Sequence, residues 1–600
     1  MNRNRIEKIT LWLSTAFLVF LVLFRPLVSG MSYPWSNTVC QIVILLILTV
    51  WIAKCIWLGR FSLVKTSLYF PILSFAFFVV LSCTYSVNLN ASLKQVYIII
   101  PNILLCFLAI NIIKKKKQIL IIVACLALTA TVVSLYGIYQ YFWGFEETRG
   151  WILQQNMQFP PDFFSRLGTN ETFSTFIYPN ALAGYLLLIL PLCISLFLVS
   201  RYFYRFLLSV ATASVVLCLY LTYSKGGWGI FLILALAPIL ILMYRKFGNK
   251  KKFYILSILM IIGIIVLSAM FLKITDRTHM IRDTLGSFKV RLNYWRASPG
   301  MVEDFPFGSG IGTFGNIYPK YKIPQAREVQ LAHNNFIQLW TEIGIIGVLS
   351  FLLIWVMFFW NWRKAFHIER LKILSAGIYI GCIAFLIHSF VDFGFYVPGI
   401  SMNVWLFIGM IEAIKIKNKK RTEASLKLLG HISAKIIFSI FLVLAVIVIS
   451  AILVRPSIAE IHRDRAIGHL NNNNFKSAEK ELETAIRFDK TNSQYYFLLG
   501  KTLEQSGRFD GAITCYKKAI EHNKYMPHYR FALGKLLIIN GKGNKFWIDG
   551  GIKEFEKALE LYPTKPFYLE NLAYAYKLMG KNKEADNLML KAEQMGKARE

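Results

Sequence analysis

Two ionisable side chains, His388 and Asp392, lie four positions apart at the end of a strongly apolar stretch of the sequence. Residues with this spacing share one face of a helix, and ionisable groups within apolar segments are costly unless they face a polar cavity. An imidazole can also take up or release a proton near neutral pH. The pair therefore indicates a proton relay or a polar pocket, with a structural hydrogen bond as the plainer alternative.

The segment 306–314 has the sequence PFGSGIGTF, which is rich in glycine. Such loops can hold phosphate through backbone amides, but this one lacks the G-K-[ST] ending of a nucleotide-binding loop. We therefore exclude a nucleotide site. Glycine also permits tight changes of chain direction, so we expect these residues to return the chain towards the next apolar segment, with direct contact of their amides with a phosphate left as the alternative.

The overall composition is that of a membrane protein. Of the 600 residues 56% are hydrophobic and 17% are charged, and the mean hydropathy is +0.49. These values exclude an ordinary soluble, disordered or collagen-like chain. The net charge of +34 lies mostly before residue 457, in short runs between apolar stretches. This arrangement is typical of membrane topology, so we expect no nucleic-acid partner.

Thirteen apolar runs approach the ~20 residues that are needed to cross a bilayer. They lie at about 10–28, 39–58, 66–83, 96–113, 118–138, 179–200, 206–222, 226–244, 253–273, 336–360, 372–390, 398–415 and 435–454. Basic residues concentrate in alternate loops, which predicts a cytoplasmic N-terminus. Two long loops, 139–178 and 274–335, then face outward together with the C-terminal part. We expect an all-α membrane domain over residues 1–456, with about 12–13 spans.

The nine cysteines include no CxxC pair, so the sequence predicts neither a disulfide framework nor a zinc site. The first apolar run, 10–28, has a basic flank but no convincing cleavage site for a signal peptidase. We therefore expect this run to be a retained span.

From about residue 459 the pattern changes to a repeat of 34 residues. Small residues occupy the eighth, twentieth and twenty-seventh positions of four units: Ala466, Gly500, Gly534 and Ala573; Ala478, Ala512, Gly551 and Ala585; Ala485, Ala519, Ala558 and Ala592. Such residues let two antiparallel helices pack closely, as in tetratricopeptide repeats. We expect residues 457–600 to form an α-solenoid that offers a groove to a protein partner, or else a structural cap.

The polar motifs follow one another in a fixed order. They are SKG at 224–226, R-x-x-x-W at 291–295, the glycine-rich segment 306–314, AHNNFIQL at 332–339, E-x-G-x-x-G at 342–347 and HSFVDF at 388–393. This order resembles the O-antigen ligase and polymerase superfamily, in the branch that carries C-terminal tetratricopeptide repeats. The resemblance covers residues 130–415 in its motifs and the whole chain in its architecture.

The resemblance implies transfer of a glycan from a polyprenyl-diphosphate carrier to an acceptor hydroxyl on the extracytoplasmic side, with no nucleotide, metal or redox cofactor. The departing diphosphate gains negative charge, which cations stabilise, and the acceptor hydroxyl requires a base. The family's histidine corresponds to His333, the base or an orienting donor, and its loop arginine to Arg291. Its second arginine is replaced here by Lys225, which keeps the charge but loses the bidentate fork.

Further residues are expected to bind substrate at the same site: Arg166, Arg296, Asn334, Glu342, His388 and Asp392. Arg166 and Arg149 are the cations of the other outward loop. Glu342 is placed to support the region of His333 rather than to act directly.

The sequence leaves the acceptor open. A ligase transfers the glycan to lipid A core, a protein or another terminal carrier, whereas a polymerase transfers it to another lipid-linked unit. We favour a ligase, because an external repeat domain suits a bulky or protein acceptor. A transporter of lipid-linked glycans and a non-enzymatic scaffold are the remaining alternatives. In each case we expect a multi-pass protein of the bacterial inner or plasma membrane.

Overall fold

The computed structural model describes most of the chain. The described residues are 3–31, 33–154, 168–247, 255, 279–360, 362, 369–417, 423–427, 431–541 and 543–597. The ninth expected span, 253–273, lies outside them apart from one residue.

The first part of the chain is a bundle of helices with short connections. Its elements are α1 (Arg3–Leu27), α2 (Trp35–Trp57), β1 (Arg60–Val64), α3 (Tyr69–Leu81), α4 (Leu89–Ile112), α5 (Lys116–Tyr139), a π-helical turn (Gln140–Gly144), α6 (Phe145–Gln154), α7 (Pro179–Val199), α8 (Tyr202–Leu221) and α9 (Lys225–Phe247). They continue with α10 (His279–Trp295), α11 (Ser298–Asp304), α12 (Phe314–Tyr321), α13 (Asn335–Trp360), α14 (Glu369–His388), a 3-10 turn (Gly394–Tyr396), α15 (Pro398–Lys417) and β2 (Glu423–Lys427).

Ten helices in the described part of the chain are long and apolar enough to cross a membrane, against the thirteen expected spans. At the third expected span, α3 has only 13 residues. At the twelfth, α15 is a full helix within the bundle, but Asn403, Glu412 and Lys415 lower its hydropathy. The multi-pass membrane domain is therefore confirmed, whereas its orientation stays a prediction.

Helix α7 lies at the centre of the bundle and is buried along most of its length. It packs against α14, α8 and α5. Glycines allow the closest approaches: a Cβ on Gly381 of α14 would lie 2.2 Å from the carbonyl oxygen of Leu188. Likewise, a Cβ on Gly409 of α15 would lie 2.7 Å from the Cys106 carbonyl oxygen on α4. Small residues of this kind are what close helix packing in a membrane requires.

The two short strands pair with each other. β1 and β2 form an antiparallel ribbon in which Arg60 is opposite Lys427 and Val64 is opposite Glu423. The ribbon connects the chain after α2 with the chain after α15, at the end of the bundle that we predict to be cytoplasmic.

The expected outward loop 274–335 contains regular structure that its sequence did not reveal. Three helices, α10, α11 and α12, occupy much of its described part. They pack around the side chains of Tyr294, Met301 and Tyr318, all of which are buried. The segment is thus a small folded unit with its own apolar core rather than an irregular loop.

The C-terminal part consists of helical pairs. Its helices are α16 (Ile432–Asn471), α17 (Phe475–Phe488), α18 (Ser493–Gln505), α19 (Phe509–His522), α20 (Pro527–Asn540), α21 (Lys545–Leu561), α22 (Pro566–Leu578) and α23 (Asn582–Lys597). Small residues lie where paired helices meet: a Cβ on Gly534 would be 2.8 Å from the Gly551 carbonyl oxygen. The expected α-solenoid is therefore confirmed. The expected domain boundary at 456/457 falls inside α16, which is one helix of 40 residues.

One edge of the solenoid contacts the membrane domain through successive turns between its helical pairs. After α17, Asp489 and Thr491 accept hydrogen bonds from the Asn90 amide at 2.8 and 3.0 Å. After α19, the ring of Tyr525 packs edge-on against Phe305 with 5.7 Å between the ring centroids. A third contact after α21 involves Glu328 and is described below. The repeat domain is therefore docked on the segments around the candidate site.

Candidate active site

His333 lies in the turn that precedes α13 and has a positive φ of 51°. Its neighbours fix this turn: the Ala332 amide donates to the Gln338 side chain at 3.0 Å, and the Trp295 indole donates to the Ala332 carbonyl oxygen at 3.0 Å. Asn334 accepts the amides of the first turn of α13 and donates to the Phe390 carbonyl oxygen. Asn334 thus caps the helix and ties it to the segment after α14.

The carboxylate of Asp392 faces His333. Asp392 Oδ1 lies 3.5 Å from His333 Nδ1, and the two side chains are 2% and 29% exposed. Burial raises the pKa of Asp392, but the interactions with His333 and His388 outweigh it and lower the pKa below its ordinary value. Asp392 is therefore a buried carboxylate that remains charged beside a partly accessible imidazole.

His388 lies on the other side of Asp392, with 3.9 Å between His388 Nδ1 and Asp392 Oδ2. It is buried against α7, where a Cβ on Gly184 would come within 3.2 Å of its Nδ1. The expectation that His388 and Asp392 share a helical face is wrong in detail, because α14 ends at His388 and Asp392 follows in a turn. The turn nevertheless brings Asp392 between two imidazoles.

Arg291, on α10, is half-buried near the same carboxylate. Its Nη1 donates to Ser287 Oγ at 2.9 Å. Burial lowers the pKa of the Arg291 guanidinium, while the charge of Asp392 and the nearby Tyr294 act in the opposite direction. Arg291 and His333 thus both interact with Asp392, and the roles given to them from the sequence stay predictions.

Lys225 is the first residue of α9 and is half-buried. The first turn of α9, which carries Lys225, packs against the segment after α14. A Cβ on Gly226 would lie 3.3 Å from Cγ2 of Val391, the residue that precedes Asp392 in the chain. On the other side, a Cβ on Gly227 would lie 3.0 Å from the Cβ of Ala183 on α7. The Lys225 turn therefore adjoins the cluster of His333, Asp392 and Arg291.

A cavity of about 200 Å³ opens beside His333 and Asp392. Its remaining walls come from residues that we had not singled out: Thr169, Glu171, Phe173, Tyr178, Pro179, Asn180 and Phe393. Most of these belong to the end of the expected outward loop 139–178 and the start of α7. The sequence offered one indication of this proximity, because the loops 139–178 and 274–335 are both predicted to lie on the outer side of the membrane. No motif in the sequence pairs these residues with His333.

Gln140, in the π-helical turn after α5, fixes the segment that carries these new residues. Its Oε1 accepts hydrogen bonds from the Thr172 hydroxyl and the amides of Phe173 and Ser174 at 2.8–3.0 Å. π-Helical turns of this kind are frequent at functional sites. Asn170, on the other side of Glu171, accepts a hydrogen bond from Arg149 at 2.8 Å.

Backbone strain concentrates around the cavity. Five non-glycine residues among those described have a positive φ, and four surround the site: Asn170, Ser174, Tyr223 and His333. The tyrosine precedes the Lys225 turn, and its hydroxyl lies 3.2 Å from that of Tyr141 in the π-helical turn. Strained residues persist where the surrounding structure holds them, and they cluster at active sites.

Glu342 is fully buried on α13 and serves as a brace. One oxygen accepts from the Gly312 amide and the Tyr396 hydroxyl, and the other accepts from the Phe314 amide and the Gln338 side chain. Substrate contact would require one of these bonds to break. The amides of Gly312 and Phe314 are likewise occupied, so they are unavailable for the phosphate contact that their glycine-rich sequence suggested.

The remaining expected residues lie apart from this cluster or outside the described part of the chain. Arg296 is exposed at the end of α10 and donates to Asn293 at 3.4 Å. Arg166 lies outside the described residues. Within the residues that the structure describes, no group of three His, Cys, Asp or Glu side chains is placed to hold a metal ion.

The third contact of the repeat domain reaches the segment that leads to His333. Glu328 accepts a hydrogen bond from the Tyr562 hydroxyl at 2.6 Å and pairs with Lys565 at 2.8 Å. The Lys322 ammonium lies over the Tyr562 ring, 5.3 Å from its centroid. We call these four residues the Glu328 joint.

The fold and this cluster define a multi-pass membrane protein with a polar site at one end of its bundle and a helical-repeat domain docked beside it. Residues 210–352 match the family model described as O-antigen ligase, and residues 493–525 match the model described as tetratricopeptide repeat. The resemblance found in the sequence is thereby confirmed. The match includes Lys225, Arg291 and His333.

Other known proteins are similar over smaller portions. The Protein CTR9 homolog of Arabidopsis thaliana is 30% identical over 121 residues, which are 19% of this chain and 11% of that protein. The chain therefore spans about a tenth of that relative. The crystal structure of MamA is 20% identical and covers 23% of this chain and 78% of MamA, with a TM-score of 0.22. The Yersinia enterocolitica secretion chaperone SycD, in complex with a peptide of the translocator YopD, is 19% identical over 21% of this chain and 91% of SycD, with a TM-score of 0.18.

Proposed function

We propose that this protein transfers a glycan from a polyprenyl-diphosphate carrier to an acceptor hydroxyl at the extracytoplasmic face of a bacterial plasma membrane. The observation that carries this proposal is the convergence of His333 and Arg291 on the buried carboxylate of Asp392, beside an open cavity. The match of residues 210–352 to the O-antigen ligase family supports it.

His333 is proposed as the base. The imidazole is partly exposed, whereas Asp392 is buried behind it and orients the ring. As the acceptor oxygen bonds to the anomeric carbon of the donor sugar, the bond from that carbon to the diphosphate oxygen breaks. The acceptor proton passes to His333, and Asp392 stabilises the imidazolium that results.

Arg291 and Lys225 are proposed to hold the diphosphate. The negative charge on the leaving oxygen grows as the bond breaks, and fixed cations in a partly enclosed site stabilise such charge strongly. Arg291 can bind two phosphate oxygens at once, whereas Lys225 acts as a point charge. Both lie at the end of the bundle where the cavity opens, so the lipid tail is proposed to remain in the bilayer while the glycan reaches His333.

The direct test uses full-length protein in lipid nanodiscs with a polyprenyl-diphosphate oligosaccharide as donor and mass analysis of the products. His333→Ala should abolish transfer and leave the amount of folded protein unchanged. His431→Ala is the matched control, because His431 is exposed before α16. Unchanged transfer by His333→Ala would remove His333 from the mechanism.

The same products separate the two acceptor classes. One-step transfer to a different carrier identifies a ligase, and a ladder of added units identifies a polymerase. A ligase remains the favoured proposal, because the repeat domain beside the site gives a bulky or protein acceptor a surface to contact.

Reporter fusions after α5 and after α16 would test the proposed orientation, which requires the C-terminal ends of both helices to lie outside the cytoplasm.

A further inference from the structure

The cavity beside His333 has two kinds of wall. Polar side chains line one part: Glu171, Asn180, Thr169 and Asp392. Aromatic rings line another, where Tyr178 packs edge-on against Phe393 with 5.5 Å between the ring centroids, and Phe393 in turn packs against His333 at 4.8 Å. Carboxylates and amides bind hydroxyl groups, while aromatic faces pack against the apolar face of a ring. This combination fits a sugar.

The charge of the cavity argues against the diphosphate as its occupant. Among the described residues its lining includes two carboxylates, Glu171 and Asp392, and no lysine or arginine. An anionic group placed there would lie beside both carboxylates in a partly enclosed space, which is unfavourable unless a cation accompanies it. Arg291 belongs to α10 and Lys225 is the first residue of α9, and neither of them lines this cavity. We therefore assign the phosphates to these two cations and the cavity to another part of the substrates.

The size of the cavity limits the ligand further. A volume of about 200 Å³ is below the ~300–1,000 Å³ of a typical ligand pocket. It accommodates one ring rather than a whole oligosaccharide.

The segment that carries Glu171 is held in place on both sides. Gln140 binds the three residues that follow Glu171, and Arg149 binds Asn170 before it. Asn170 and Ser174 also keep strained backbone conformations. A side chain on such a segment is pre-organised, so a ligand loses little entropy of the protein on binding.

We propose that this cavity is a subsite for one uncharged sugar ring, in which Glu171 and Asn180 accept and donate hydrogen bonds to ring hydroxyls and thereby select the sugar presented to His333. The proposal rests on the glycan transfer proposed above. It assigns Glu171 to sugar recognition and leaves diphosphate binding to Arg291 and Lys225.

The test compares two probes, methyl glucoside and methyl glucuronide, by saturation-transfer NMR with full-length protein in nanodiscs. The wild type should bind the neutral probe in preference to the anionic one. Glu171→Gln should weaken binding of the neutral probe at least about fivefold, because hydrogen bonds to a charged group are the stronger ones, and should reduce the preference against the anionic probe. Asn180→Ala should weaken binding of both probes.

The control is Glu303→Gln, which changes an exposed carboxylate on α11 and should alter neither probe. Inhibition of transfer by glycan-free polyprenyl diphosphate should be the same in wild type and Glu171→Gln. The subsite is overturned if neither probe binds, if the anionic probe binds better, or if Glu171→Gln binds both as the wild type does. Glycan transfer measured in the same preparation separates the two ideas, since a wild type without transfer counts against the proposed function itself.

Discussion

At the scale of single residues, the site depends on where Asp392 points. The sequence spacing paired Asp392 with His388, yet the structure places it closer to His333, at 3.5 Å against 3.9 Å. The motif around His333 singled out that histidine, and its catalytic role stays a prediction. Its carboxylate partner could not be predicted, because the pairing joins two segments almost sixty residues apart through a turn whose geometry depends on packing.

Asp392→Asn is expected to reduce the rate of transfer at least about a hundredfold, since an amide neither fixes the tautomer nor stabilises the imidazolium. The pKa of Asp392 is lowered, so its carboxylate form persists below the ordinary value of 3.8, and its contribution is lost only as pH falls through the lowered pKa. The measurement is kcat of purified protein between pH 5 and 8, with Asp304→Asn, an exposed carboxylate, as control. An Asp392→Asn enzyme with normal kcat would contradict the proposed role.

Lys225→Arg is expected to retain most of the activity, and Lys225→Ala to lose about ten- to a hundredfold in kcat, because the site uses the charge at this position. Lys289→Ala, on α10, changes an exposed cation of the neighbouring segment and serves as control. Equal activity of Lys225→Ala and wild type would exclude Lys225 from diphosphate binding.

At the scale of elements, apolar length and the 34-residue period were enough to predict most of the spans and the solenoid. The sequence did not predict the short helices that are stabilised by their surroundings. Helix α15 was predicted as a span and lies buried within the bundle, whereas α10 to α12 form around a core that only their own packing creates. The sequence predicted that Glu342 supports the region of His333. It could not predict the bonds of Glu342 to the glycine-rich segment, because these depend on tertiary contacts.

The glycine-rich segment supplies a test at this scale. Gly308 has a φ of +92°, and a Cβ there would lie 2.4 Å from the backbone of Glu342. Gly308→Ala is therefore expected to lower the thermal midpoint of the membrane domain and to reduce transfer, because the segment must shift away from α13. Gly229→Ala places its Cβ in open space on α9 and should be nearly neutral. Equal melting of the two variants would show that the segment accommodates the extra atom.

A second test at this scale is the substitution Gln140→Leu, which probes whether Gln140 fixes the segment 172–174. It removes the acceptor that the amides of Phe173 and Ser174 share, at a cost of about 1–3 kcal/mol for each buried amide left unpaired. The Thr172 hydroxyl keeps the Gly137 carbonyl oxygen as its partner at 2.8 Å. Amide hydrogen exchange in this segment should accelerate, and transfer should fall. Gln494→Leu, in the repeat domain, is the control. Unchanged exchange in residues 172–174 would contradict the role given to Gln140.

At the scale of the whole molecule, the repeat domain is bound to the segment that leads to the site. The Glu328 joint connects the turn after α21 to residues five positions before His333. This contact joins parts of the chain more than two hundred residues apart. Neither sequence pattern nor repeat periodicity carries information about it, so it could not have been predicted.

Glu328→Gln is expected to loosen this joint, with faster amide exchange in residues 322–333 and a lower rate of transfer. Burial raises the pKa of Glu328, but its bonds to Lys565 and Tyr562 lower it below the ordinary value of 4.5. The stabilisation is therefore present above pH 4.5 and is lost as pH falls through the lowered pKa. Wild type should show this acid-induced loosening, whereas Glu328→Gln should not. Tyr574→Phe, an exposed tyrosine on α22, is the control.

The continuous helix α16 also sets the geometry of everything attached to it. Forty residues at ~1.5 Å each give a rod of about 60 Å, roughly twice the ~30 Å of the hydrocarbon layer. No flexible linker separates the membrane-spanning part of α16 from the first repeat. A partner bound by the solenoid would therefore be held at a fixed height above the membrane and in a fixed direction. Because each residue of a helix turns the chain by about 100°, inserting one alanine above the membrane would swing the solenoid to another side of the rod.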